Sequence, residues 1–177
     1  MEHIQPKRRS LRLRGFDYAQ AGAYFVTICS HNKQCFFGNI VDFRMQLNNI
    51  GTLVVACWKE LANQYKFVKL DEWILMPNHL HGIIWLDNNQ YGKSLGRIVA
   101  TFKAMSTAQV RKTINPKINL WQRNFFEHVI RNEEDLFRIR EYIIDNPVQW
   151  AVDLENPDLV RINIVRAHAM RPYSTSV

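Results

Sequence analysis

No stretch of this 177-residue chain approaches the roughly 18 consecutive apolar residues that a membrane-spanning helix needs. The opening "MEHIQPKRRS" also lacks the apolar segment of a secretory signal, so a cytosolic protein is expected. Cysteine is scarce and odd in number. Cys29, Cys35 and Cys57 contain no CxxC spacing, which argues against a disulfide framework or a four-cysteine zinc site and for reduced thiols. Internal repeats and low-complexity segments are absent as well. With 47% apolar residues the chain is globular, and its length suits one domain with a real core.

Acid is missing from three parts of the chain. The 23 Lys and Arg against 16 Asp and Glu leave a charge of +7, and that excess is segregated. An N-terminal arm carries Lys7, Arg8, Arg9, Arg12 and Arg14, and residues 159–177 carry Arg161, Arg166 and Arg171 without an acid. Between positions 88 and 126 stand Lys93, Arg97, Lys103, Arg111, Lys112, Lys117 and Arg123, again without an acid. Segregated basic charge with interleaved aromatics is the footprint of a nucleic-acid binder, although a basic face kept for solubility explains the charge alone equally well.

The apolar pattern lays out an α+β chain. "AYFVTICSH" (23–31) has the β-branched and aromatic content of a strand, and Ile50, Leu53, Val54, Cys57, Trp58 and Leu61 then recur at amphipathic-helix spacing. "KFVKLDEWILMP" and "HLHGIIWLD" read as a hairpin closed at "MPNH", because Pro77 presets φ and Asn78 tolerates a turn. Ser94 is a candidate N-cap for a helix over 95–112, residues 119–131 have strand composition, and Asn132 opens a last helix that Pro147 is expected to stop. Residues 146–160 read as an ordered extension laid back on the core. This order disfavours a parallel doubly wound sheet and favours an antiparallel sheet with helices mainly on one face.

Within the apolar run "WILMPNHLHGIIWL" two imidazoles intrude. Side chains alternate along a strand, so His79 and His81 share a face while Leu80 points to the other, and two adjacent imidazoles can chelate one metal. A pair of histidines hydrogen-bonded to solvent or carbonyls is the plainer alternative. On the last helix, Tyr142 and Asn146 lie one turn apart at the border of the stripe Leu136, Ile139 and Ile143, where a phenol can enter a cleft and an amide oxygen can complete a metal site. Lys103, beside the stripe of the preceding helix, reads equally as a solvated surface lysine or as a cation placed near a bound phosphate. Trp121 and Phe125 are candidates to stack bases, Phe126 is expected in the core, and Trp121 is left open between the two.

Together "DYAQAGAYFVTICSH", "MPNHLHGII", "LGRIVATFKA" and "LWQRNFFEHVIRNEEDLFRIREYIIDNPVQW" resemble the REP-associated tyrosine transposases, relatives of the single-tyrosine HUH transposases. The resemblance runs from about residue 9 to residue 160. It implies a ferredoxin-like HUH endonuclease fold and three parts: a basic DNA-binding arm (1–14), one catalytic domain (15–158) and a basic tail (159–177). It also implies a single-strand DNA endonuclease and strand transferase dependent on Mg2+ or Mn2+. His79 and His81 would be the metal-binding pair, Tyr142 the nucleophile that forms a 5′-phosphotyrosine, and Lys103 the assisting cation. Asn146 would be the third ligand, with His128 as a substitute. Lys7, Arg8, Arg9, Arg12, Arg14, Arg97, Arg111, Trp121 and Arg123 would contact single-stranded and hairpin DNA. A monomer or homodimer in the bacterial cytoplasm, associated with the nucleoid, is implied. Two other readings stay open: a hairpin-binding protein in repeat maintenance that no longer cleaves, and a metal hydrolase of a small molecule.

Overall fold

A computed structural model describes residues 15–87, 92–152 and 156; the basic arm Lys7 to Arg14 and the basic tail fall outside the described residues. Its main sheet is built from β1 (Gly22–Cys29), β4 (Val68–Leu75), β5 (His79–Leu86) and β6 (Phe126–Ile130). The spatial order is β4-β5-β1-β6, and every neighbouring pair is antiparallel. With α1 (Asn49–Gln64) between the first two of these strands and α2 (Leu95–Thr113) between the last two, the chain traces the split βαββαβ path of ferredoxin-like domains.

Strand alternation divides the core between two sides. Tyr24, Val26, Ile28, Leu80 and Ile84 face α1 and α2, while Ala23, Phe25 and Ile83 pack with Leu136 and Ile143 of α3 (Glu133–Gln149). Two helices therefore cover one face, as expected, and the third lies alone on the other, the face that carries the odd-numbered residues of β5. Asn48 caps α1 by accepting from Gly51 N, and Asn132 caps α3 by accepting from Asp135 N, ahead of three acids in the first turn. Ser94 holds the cap position of α2 through its backbone, its hydroxyl making no capping bond.

Close helix-to-sheet approach depends on Gly82. A Cβ there would lie 2.6 Å from Trp58 Cζ2 and 3.1 Å from Trp73 Cβ, and the indole of Trp58 is wholly buried. Gly82→Ala is expected to lower unfolding stability by about 1–3 kcal/mol, read from the midpoint of a urea melt, because neither tryptophan has room to retreat.

Several expectations need correction. A two-stranded hairpin, β2 (Gly38–Val41) with β3 (Arg44–Leu47), has no counterpart in the sequence reading. Its turn puts Asp42 and Phe43 at φ 48° and 58°, a primed geometry that usually advertises itself with Asn-Gly, so the local sequence carried no signal. The strand expected over 119–131 shrinks to β6, with Trp121 contributing one isolated bridge to Ser30. Pro147 does not stop α3, which continues to Gln149 with the proline inside it. A helix-interior proline costs about 3 kcal/mol, and burial of Ile143 and Pro147 works against that cost. The extension that follows is a short 3-10 turn at Trp150–Val152, its Trp150 carbonyl accepting from Asn156 Nδ2 at 3.1 Å; residues 153–155 and 157–160 fall outside the described residues.

Candidate active site

The β4–β5 turn is a buried joint. Met76 N donates to His79 O (2.8 Å), Phe37 N to Pro77 O (3.1 Å) and Ser30 N to Asn78 O (2.8 Å), so the polypeptide entering β5 is held from three directions. Asn78 Nδ2 donates to the Lys33 carbonyl at 3.2 Å, which turns Oδ1 toward His79 Nδ1, 2.7 Å away. An amide oxygen only accepts, so His79 carries its proton on Nδ1 and its lone pair on Nε2, the tautomer suited to ligation.

His81 is arranged in the same sense. Its Nδ1 lies 2.9 Å from Thr27 Oγ1, its directly paired neighbour on β1, and its Nε2 lies 3.2 Å from the Tyr142 hydroxyl. Burial, and secondly the neighbouring His79, push the His81 pKa well below the usual imidazole value, so the ring is neutral. A hydroxyl can accept Nδ1–H, and in that tautomer Nε2 is free to accept from the Tyr142 hydroxyl. The two imidazoles meet at 4.4 Å between ring centroids, and Phe25 stacks on His81 at 5.4 Å.

α3 delivers the remaining groups along one flank. Tyr142 is 43% exposed and packs edge-on to both Phe25 (6.1 Å) and His81 (5.1 Å). Two turns later the Trp150 ring lies 6.1 Å from His79. Asn146 falls between these two contacts, 3% exposed, with Oδ1 lacking a hydrogen-bond partner among the described residues. The one-turn spacing of Tyr142 and Asn146 thus holds, because the helix runs on through Pro147. No group of three His, Cys, Asp or Glu among the described residues could hold a metal ion, so a site at the two imidazoles would draw its further donors from other groups, such as an amide oxygen. The orphaned Asn146 Oδ1 has that chemistry, which suits an oxygen-preferring Mg2+ or Mn2+ beside two neutral imidazoles.

An ion pair anchors the opposite flank of the helix. Arg140 donates from Nε to Asp71 Oδ1 (2.8 Å) and from its terminal nitrogen to Oδ2 (2.6 Å), and Trp85 Nε1 adds a third bond to Oδ2 (2.9 Å). These donors, Arg140 first, hold the Asp71 carboxyl down to about 2, so the pair persists through neutral and mildly acidic pH. Asp71 and Arg140 were not among the residues selected from the sequence. An acid inside a strand pattern at "KLDEW" is a weak signal, and its partner stands 69 residues away.

Other expected site residues separate from the histidines. Lys103 Nζ donates to the carbonyls of Gln122 (2.9 Å), Asn124 (2.9 Å) and Arg123 (3.4 Å), so it pins the segment before β6 instead of standing as a free phosphate-binding cation. Burial draws its pKa down to about 8. Trp121, 6% exposed, donates Nε1 to Ser106 Oγ (2.9 Å) and packs on Phe37 and Phe102, leaving no free face for a base. Phe126, expected in the core, is instead 44% exposed. The sequence reading misplaces Phe126 and leaves Trp121 open, since a bare "WQRNFF" does not say where the strand begins. His128, the substitute ligand, is engaged by Asp135 at 2.8 Å. Arg97, Arg111 and Arg123 are surface residues, and Arg111 Nε donates to the Ile118 carbonyl (3.0 Å). No helix among the described residues is long and apolar enough to cross a membrane.

Residues 19–146 match the family model described as IS200-like transposase. An uncharacterised protein of Haemophilus influenzae is 41% identical over 166 residues, covering 82% of this chain and 91% of that one. A second protein of that organism, provisionally named a REP-associated tyrosine transposase, is 28% identical over 144 residues, covering 75% and 74%. Among solved structures, a REP-associated tyrosine transposase bound to a REP hairpin shares the fold with a TM-score of 0.61 at 20% identity, covering 79% of this chain and 74% of that one.

Proposed function

Because the chain belongs to the IS200-like transposase family, we propose that it is a metal-dependent single-strand DNA endonuclease and strand transferase acting on palindromic repeat hairpins, with Tyr142 as nucleophile. The observation that carries this reading is the 3.2 Å contact between the Tyr142 hydroxyl and His81 Nε2, which joins the nucleophile to the histidine pair within one chain. His79, His81 and Asn146 would hold Mg2+ or Mn2+. When bound, the ion polarises the scissile phosphate and stabilises the charge that develops there.

Tyr142 Oη attacks phosphorus, the phenol proton passes to solvent water, and the bond from phosphorus to the 3′ oxygen breaks. The products are a 5′-phosphotyrosine and a free 3′-hydroxyl once that oxygen has taken a proton. Attack by another 3′-hydroxyl reverses the step and rejoins DNA without ATP. Phe25 and Trp150 wall the imidazoles, and Thr27 and Asn78 keep their tautomers. Arg97, Arg111 and Arg123, with Lys7, Arg8, Arg9, Arg12 and Arg14 of the arm, would neutralise DNA phosphates, each contact steepening the salt dependence. One chain supplies both Tyr142 and the histidines, so a monomer suffices for cleavage, in the cytoplasm at the nucleoid.

Incubation with end-labelled hairpin DNA carrying single-stranded flanks and Mn2+ tests the reading. A covalent adduct resistant to denaturant is expected, and its absence on hairpins that the protein binds favours a repeat-binding protein that no longer cleaves. That second reading draws support from Lys103, whose ammonium is tied to backbone carbonyls. The phenol and the ion also share one lone pair at His81 Nε2. Tyr142→Phe is therefore expected to bind Mn2+ about fivefold tighter in calorimetry of the DNA-free protein, the equivalent of one hydrogen bond. Equal or weaker binding would contradict that competition.

A further inference from the structure

The two faces of the sheet hold their helices unequally. On one side α1 and α2 share the large core around Trp58 and Phe102, whereas α3 rests on a patch whose buried members are Ala23, Phe25, Ile83, Leu136 and Ile143. Apolar contact is non-directional, so a patch of this size sets the rotation and register of a helix on a sheet less tightly than a directional bond does. Covalent chemistry at a phosphate needs both fixed.

A β-bulge supplies the fixed point. Leu70 pairs with Ile84 and Trp73 with Gly82, so Asp71 and Glu72 together oppose the single residue Ile83. Ile83 belongs to the α3 side of the sheet, and the bulge presents the Asp71 carboxylate there. Four donors meet it: two from Arg140, Trp85 Nε1 and the Glu72 amide at 2.7 Å. A two-pronged guanidinium bond fixes direction as well as distance. Arg140 stands two residues before Tyr142, and the apolar stripe Leu136, Ile139 and Ile143 runs between the flanks that the two residues occupy. Holding one flank to the sheet edge sets the roll that presses the other onto His81.

We propose that Asp71 is a positioning residue: through Arg140 it clamps the α3 helix so that the Tyr142 hydroxyl stays seated against His81 of its own chain. The inference rests on the reading of Tyr142 as nucleophile, but the seating itself can be measured without DNA or metal.

Fluorotyrosine placed at position 142 reports it by fluorine NMR. In the otherwise native chain the rings of His81 and Phe25 should move its resonance away from that of the denatured protein. Asp71→Asn, nearly the same shape without the charge, is expected to bring the resonance most of the way to the denatured position while circular dichroism remains native. Arg140→Lys, which keeps the charge and loses the fork, should give an intermediate position. A folded Asp71→Asn protein with the native resonance overturns the proposal, and if that variant does not fold, an unmoved resonance in Arg140→Lys overturns it instead. In single-turnover adduct formation at saturating hairpin DNA, Asp71→Asn is expected to be about a hundredfold slower, with DNA affinity within twofold of native. A merely structural ion pair would lower the melting temperature and leave both the resonance and that rate in place. A native protein that forms no adduct counts against the proposed function and leaves the NMR result to decide the clamp.

Discussion

Tyr142→Phe is expected to abolish the covalent protein–DNA adduct, by at least about a thousandfold in rate, while hairpin binding stays within a fewfold of native. The substitution removes one oxygen and keeps the ring that packs on Phe25 and His81, so the fold is retained and only the nucleophile is lost. Two other tyrosines are poor substitutes. Tyr24 and Tyr65 are buried on the α1 and α2 side, their hydroxyls bonded to the Gln20 carbonyl and to Thr101 Oγ1, each at 2.9 Å. Adduct formation by Tyr142→Phe on a denaturing gel would remove Tyr142 from the mechanism, and mapping the labelled peptide would say which residue replaced it.

His79→Ala and His81→Ala should each lower adduct formation by at least about a hundredfold, the second for two reasons. Each removes one of the two imidazoles proposed to share an ion with Asn146, and a two-donor remnant would hold Mg2+ or Mn2+ weakly. His81→Ala also removes the ring against which Tyr142 packs edge-on at 5.1 Å, so the tyrosine loses a wall of its seat whether or not Nε2 holds an ion. Neither removes a cation that meets DNA, so hairpin affinity measured by mobility shift should hold. Excess Mn2+ is expected to restore part of the activity of His79→Ala and little of that of His81→Ala. Equal rescue of both would mean that the contact between His81 and Tyr142 contributes nothing beyond the metal.

The parts of the site legible in the sequence share a property: each depends on a period. Strand alternation is enough to place His79 and His81 on one face with Leu80 on the other, and helix spacing is enough to put Tyr142 and Asn146 on one flank. The caps at Asn132 and Asn48 depend on a side chain three residues from the amide it serves, although only Asn132 was named in advance. Where no period applied, the reading failed. The β2–β3 turn uses positive φ at a Phe, Phe126 lies at the surface and not in the core, and Lys103 found carbonyls some 20 residues ahead of it.

By itself, the sequence determined that this is an α+β chain with two histidines on one face of a strand, a tyrosine on the flank of a late amphipathic helix and segregated basic charge. Only the tertiary structure decided that α3 crosses the sheet face bearing the histidines, that Pro147 stays inside it, and that Asp71, set on a bulge, holds Arg140. Local patterns fix which way a side chain leaves its own element, because backbone geometry repeats every two or 3.6 residues. Which elements meet, and at what rotation, is set by burial and by pairs far apart in the chain, and no local pattern encodes those.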